Sequence, residues 1–186
     1  QITAFTSAQI AALATDQVVA LTTSQVATLK TSQLVALTTV QLSKMETEDL
    51  AAITTDQITA LTTAQVAALT TDQVINLSTD QVATLTTRQL TSLTTAQTVA
   101  LTTDQLAALT TAQVASLSEA NLAKITTDQI TSLTTNQMAG LTTAQVVDLT
   151  TAQIATLTTD QLSSLTSLQV AKMETEDLAA ITTDQI

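Results

Sequence analysis

The sequence predicts an all-α solenoid of very short capped helices, one per eight-residue repeat. Three observations predict it: an unbroken eight-residue period, a capping signal at the start of nearly every unit, and acidic residues gathered at the expected helix starts. The unit is Leu-Thr-Thr-x-Gln-Val-Ala-Ala, as in Leu61-Thr62-Thr63-Ala64-Gln65-Val66-Ala67-Ala68. The column that begins Gln1, Gln9, Gln17 and ends at Gln185 has 24 positions, 21 of them Gln. The exceptions, Asp49, Asn121 and Asp177, are polar near-substitutes, so no insertion breaks the phase. Residues 1–186 therefore read as one continuous solenoid, a segment of a longer array.

Within a unit, each position has a local reason. Thr62-Thr63-Ala64-Gln65 has the form of a capping box. Thr62 is the expected N-cap, its hydroxyl accepting from the Gln65 backbone N–H, and the Gln65 side chain reaches back to the Thr62 N–H. Leu61 and Val66 then occupy the two positions of a hydrophobic staple. The next Thr ends the helix after about a turn and a half, and a single extended residue at the break needs no glycine. Of the 16 acidic residues, ten sit two places after the cap, among them Asp16, Asp56 and Asp72. Only Asp148 lies late in a unit, where Lys44, Lys124 and Lys172 also lie. Acids at starts and bases at ends suit the helix dipole.

Two other geometries fail. One continuous helix would let its apolar stripe drift by about 80° per unit. A β-solenoid needs left-handed residues at its corners, and the chain has one glycine, Gly140. Helices this short are unstable alone, so the units must stack. Two helices per superhelical turn is the simplest arrangement, with three the open alternative.

Several octads depart from the pattern. Ala14 and Lys30 replace the cap, where Thr15 and Thr31 are expected to take over one residue late. Thr98 occupies an apolar column and Val99 follows it, a swap that a small rotation of the helix would repair. Val40 and Leu168 place apolar groups where most octads carry Ala or Asp, and they are 128 residues apart. After each comes the same stretch, Lys44 to Ile58 and Lys172 to Ile186. This implies a higher-order repeat of 128 residues and makes Val40 and Leu168 candidates for a lateral contact.

Composition limits function. The chain has no His and no Cys, which removes the usual general base and thiolate ligands. Its Ser and Thr have no activating partner, so no catalytic residue, cofactor-binding residue or small-molecule substrate is expected. A net charge of −11 argues against nucleic acid, and no apolar run approaches the ~20 residues of a membrane span. Glu46, Glu48 and Asp49, repeated as Glu174, Glu176 and Asp177, read as capping and solubilising groups, with a weak cation site as the alternative. The Thr pairs invite an ice-binding face, but the first Thr of each pair is occupied as a cap and the faces are expected to carry Asp and Gln. Asn76-Leu77-Ser78 is a glycosylation sequon, a chance occurrence in a chain this rich in Ser and Thr.

The Leu-Thr-Thr-Ala-Gln-Val and Leu-Thr-Thr-Asp-Gln-Val units resemble octapeptide arrays of very large bacterial surface or secreted proteins, often labelled adhesin-like. The resemblance spans the whole chain. It implies an extracellular or cell-surface location and a structural role, and it carries no ligand residue onto any position here. The leading expectation is a rigid rod that self-associates into a fibre or sheath. The other is a spacer stalk holding a distal adhesin domain away from the cell.

Overall fold

A computed structural model describes residues 1–185. Among them are 22 short α-helices of four to six residues and two 3₁₀ turns, Ile2–Ala4 and Thr183–Gln185. The chain divides into two compact units, Gln1–Ala100 and Leu101–Ile186.

The first unit holds α1 (Ser7–Ala11), α2 (Thr15–Val19), α3 (Thr23–Ala27), α4 (Thr31–Ala36), α5 (Thr39–Ser43) and α6 (Thr47–Ala51). It continues with α7 (Thr55–Ala60), α8 (Thr63–Ala67), α9 (Thr71–Ile75), α10 (Thr79–Thr84), α11 (Thr87–Thr91) and α12 (Thr95–Ala100). The second holds α13 (Thr103–Ala108), α14 (Thr111–Ser116), α15 (Glu119–Leu122), α16 (Thr127–Thr131) and α17 (Thr135–Ala139). After these come α18 (Thr143–Val147), α19 (Thr151–Ile154), α20 (Thr159–Ser164), α21 (Ser167–Val170) and α22 (Thr175–Ala180).

The caps form as the sequence predicts. Thr62 Oγ1 accepts from the Gln65 backbone N–H at 3.2 Å, and Gln65 Oε1 accepts from the Thr62 N–H at 2.9 Å. The staple residues Leu61 and Val66 are both buried. No described residue has a positive φ. The break between α7 and α8 uses two extended residues rather than one: Leu61 (φ −58°, ψ 140°) and Thr62 (φ −70°, ψ 156°).

Within each unit, every helix packs on the helix three places along. In the first unit α1 meets α4, α2 meets α5, and the pattern continues to α9 with α12. In the second it runs from α13 with α16 to α19 with α22. Each coil therefore holds three octads, which corrects the simpler expectation of two helices per turn. Closing a coil with two helices requires the chain to reverse at every break, a geometry served by left-handed residues. Two extended residues in the ordinary β region bend the chain less sharply, and three such bends close the coil.

The core is built from two sequence columns, each winding once round every coil of three octads. One contributes Leu29, Leu37, Met45, Ile53 and Leu61, and the other Val26, Leu34, Leu42, Leu50 and Ile58, all buried. The second unit repeats this with Leu109, Leu117 and Ile125 beside Leu106, Val114 and Leu122.

Two local expectations are corrected. The cap does not move to Thr15 or Thr31. Ala14 and Lys30 remain the N-caps without a side-chain bond, and α2 and α4 simply begin at the following Thr. Gln17 and Gln33 still accept from the Ala14 and Lys30 N–H, each at 2.8 Å. Moving the cap by one residue would pull these glutamines off that contact. Nor does α12 rotate. Thr98 is fully buried in the apolar column, and its hydroxyl donates to the Thr94 carbonyl at 3.1 Å. Gly140 serves no turn. It ends α17 in ordinary helical conformation (φ −86°), and a Cβ there would collide with the Thr111 methyl in its present rotamer.

Candidate functional site

The glutamine column does more than cap. Gln65 Oε1 holds its own N-cap, while Nε2 points to the coil beneath and donates to the carbonyls of Leu34 (3.2 Å), Val35 (3.3 Å) and Leu37 (2.8 Å). Gln73 reaches Leu42 (3.0 Å) and Met45 (2.8 Å), and Gln97 reaches Val66 (2.9 Å) and Leu69 (2.7 Å). In the second unit Gln137 reaches Leu106 (2.9 Å) and Leu109 (2.6 Å), and Gln153 reaches Leu122 (3.0 Å) and Ile125 (2.9 Å). Each acceptor lies 28 to 31 residues back, at the end of a helix in the coil below or in the break that follows it. From Gln33 to Gln169 these glutamines are buried, which overturns the expectation that Gln lies on the faces. Among the described residues no buried polar side-chain atom lacks a partner.

The ladder also explains why α12 stays put. Rotating the helix to bury Val99 would draw Gln97 away from the Val66 and Leu69 carbonyls. Sequence reasoning missed the ladder, although a signal was present. A capping box accepts Glu as well as Gln, yet Glu never occurs in the column. Only an amide offers both an acceptor for the cap and a donor for the coil below.

Two rungs are replaced by acids. Asp49 is buried, and its Oδ1 accepts from the Thr23 hydroxyl at 2.8 Å. Asp177 does the same with Thr151 at 3.0 Å. Glu46 and Glu174 are exposed N-caps of α6 and α22 without a side-chain cap bond. Glu48 and Glu176 are exposed in the first turn, and Glu48 accepts from the Thr47 hydroxyl at 3.0 Å. Each acidic trio is thus divided between the buried interior and the surface. Among the described residues no group of three or more acidic side chains is placed to hold a metal ion.

Val40 and Leu168 face outward, at 60% and 61% exposure. Both are second residues of their helices, α5 and α21, where other octads present Asp16, Asp56 or Ala64 to solvent. The packed pair α18 and α21 carries a shallow hollow lined by Thr143, Ala144, Val147, Asp148 and Lys172. Asn76 of the sequon donates from Nδ2 to the Asp72 carbonyl at 2.8 Å. No described helix is long and apolar enough to cross a membrane.

A comparison with curated proteins finds no match. The ALTTAQ repeat matches four successive stretches: 42–79, 75–111, 102–135 and 135–167. Its motif stands here as Ala60-Leu61-Thr62-Thr63-Ala64-Gln65 and Ala108-Leu109-Thr110-Thr111-Ala112-Gln113, the cap, the ladder glutamine and the Leu-column residue of one octad. Together the matches run from 42 to 167, more than half of the sequence, and the chain belongs to the ALTTAQ repeat family.

Proposed function

We propose that the chain is a structural repeat protein, without enzymatic activity, that self-associates into an extracellular fibre or sheath. The observation that carries this reading is the pair Val40 and Leu168. Each puts a bare aliphatic side chain at an outward position that is small or acidic in most octads, and each belongs to one copy of the 128-residue block. The rest of the repeat supports it. The Thr and Gln of each octad are engaged in capping and stacking, so the repeated chemistry is directed at holding shape. The extracellular location rests on the resemblance to large secreted arrays.

The alternative is a monomeric spacer in an adhesin stalk. The net charge of −11, spread along the outward positions, favours it by keeping copies apart. Negative-stain electron microscopy over a range of concentrations separates the two. Filaments or bundles that diminish in a Val40→Asp, Leu168→Asp double variant support the fibre. Isolated particles at every concentration, unchanged by the substitutions, support the spacer.

A further inference from the structure

Within each unit the ladder latches one coil to the next at three corners, one per octad. In the coil formed by α4, α5 and α6, two corners follow the rule. Gln33 donates to the Ile2 and Phe5 carbonyls (3.0 and 2.8 Å), and Gln41 to those of Ala11 and Leu13 (3.3 and 2.6 Å). The third corner, α6, differs. Its column residue is Asp49, and a carboxylate only accepts. Asp49 takes the Thr23 hydroxyl instead, so the Val18 and Leu21 carbonyls, 31 and 28 residues back, receive no amide from it.

The same helix also lacks its cap. Glu46, the N-cap of α6, makes no side-chain cap bond, and no capping box closes on it. Just before it Met45 stands in the Leu column, and an unbranched thioether adapts to shifts that branched side chains resist. From above, α6 is held normally: Gln81 donates to the Leu50, Ala51 and Ile53 carbonyls (3.0, 3.3 and 2.7 Å). The next octad along, that of Gln57, regains its bond to the coil below, at the Leu29 carbonyl (2.6 Å). The whole set recurs 128 residues on. There α22 starts at Glu174 without a cap bond, Asp177 takes the Thr151 hydroxyl, and Met173 precedes them. Gln169 and Gln185 flank that octad with rungs intact, to Leu141 (2.8 Å) and Leu157 (2.7 Å). Two of the chain's three methionines occupy these two places, so Met in the Leu column goes with the missing rung.

We infer that these octads are joints. At Asp49, and again at Asp177, one corner of a coil opens from the coil beneath while its neighbours stay latched. Opening at a single corner is a wedge, so the stack bends there in a set direction and does not separate. The free-energy argument is local. The backbone bonds of α6 are those of its neighbours, but two of the tethers that hold a neighbour, its cap and its rung, are missing. What remains beneath it is one hydroxyl bond, from Thr23. With one joint in each 128-residue block, an array of such blocks yields at regular intervals. This does not depend on whether copies associate, and it holds for a fibre and a spacer alike.

Native-state hydrogen exchange of the full chain, read by mass spectrometry, tests this. The amides of Leu50, Ala52 and Ile53 in α6 are compared with those of Leu42, Lys44 and Met45 in α5 and of Leu34 and Leu37 in α4. The three helices share one coil, so they differ in their tethers and not in their place along the stack. A missing cap and a missing rung predict exchange about tenfold faster in α6 than in α5. The rate in α4, which lacks a cap hydroxyl at Lys30 but keeps its rung, falls between them. Glu46→Thr with Asp49→Gln restores the repeat and brings α6 to the rate of α5. The converse pair, Thr62→Glu with Gln65→Asp, implants the joint in α8 and speeds exchange there, leaving α7 and α9 as they were. Exchange in α6 no faster than in α4, or a fast α6 that restoration leaves unchanged, overturns the joint. Implantation that speeds α7, α8 and α9 together overturns the wedge, because the coil then loosens as a whole.

Discussion

At the scale of the residue, one glutamine per octad joins two levels of structure. Its carbonyl oxygen completes the cap of its own helix, and its amide nitrogen binds the coil below. Gln65→Glu separates these roles. The carboxylate still accepts from the Thr62 N–H, but it turns negative oxygen toward the Leu34 and Leu37 carbonyls in a buried site. We expect a loss of about 2–3 kcal/mol at neutral pH, from the lost donor to the Leu37 carbonyl, the repulsion of the carbonyls it faces and a desolvated charge. Burial raises the folded-state pKa of this carboxyl above its unfolded value. The protonated form can donate, so the deficit shrinks as pH falls through the folded pKa and is largest above it. Urea melts at neutral and acid pH check both the size and the sign. Lys30→Thr should act in the other direction. It supplies the missing cap to α4 and should add about 1 kcal/mol, while Lys30→Ala, which offers no acceptor, should not.

At the scale of the element, the octad is the unit of deletion. Removing 65–72 joins Ala64 to Gln73, preserves every cap, and lets each later helix of the first unit find a partner three octads back. The cost is one rung and one layer of core, so the melting temperature should fall by only a few degrees, since about 1 kcal/mol corresponds to ~2–4 °C at this size. Removing 65–68 joins Ala64 to Leu69, deletes a ladder glutamine with its apolar partner, and leaves a coil one half-octad short. A melting temperature depressed several-fold more, followed by circular dichroism, is the expected result. Equal effects of the two deletions would show that the phase of the repeat does not matter. The same locality explains what was legible in the sequence. Cap, staple and helix length are settled by residues within eight of one another, and all three could be read from Leu61 to Leu69. The number of helices per coil could not. It depends on which octad lies under Gln65, and every octad offers the same Leu and Val carbonyls. The persistence of Thr15 and Thr31 as first helical residues escaped for a related reason, because the force holding α2 and α4 in phase is the reach of Gln17 and Gln33, which propensity alone does not register. Glu46, Glu48 and Asp49 looked equivalent as neighbours in sequence, but Asp49 falls in the ladder column and turns inward to Thr23.

At the scale of the whole molecule, charge and exposed aliphatic groups oppose each other. Sixteen acidic residues against five basic ones give a net −11, and the outward helix starts carry most of the acids. Two such chains repel wherever they meet, over about 30 Å at 0.01 M salt and only ~3 Å at 1 M. An association carried by Val40 and Leu168 gains nothing from ion pairs, so screening removes its main opponent. Such assembly should strengthen steadily as salt is raised from 0.01 to about 0.5 M, a range over which the Debye length contracts several-fold. If surface lysines such as Lys44 and Lys172 instead pair with acids of a neighbouring chain, the same salt series should dissolve the assembly. Sedimentation velocity across the series distinguishes these outcomes by the sign of the trend alone. A spacer gives a third result, a single slow species at every salt concentration. Because heating and pH leave net charge and folding entangled in an acidic chain, ionic strength is the variable that isolates contact chemistry from stability. Strengthening with salt, together with loss of that strengthening in Val40→Asp, Leu168→Asp, would assign the lateral contact to those two residues rather than to general aggregation of a screened polyanion.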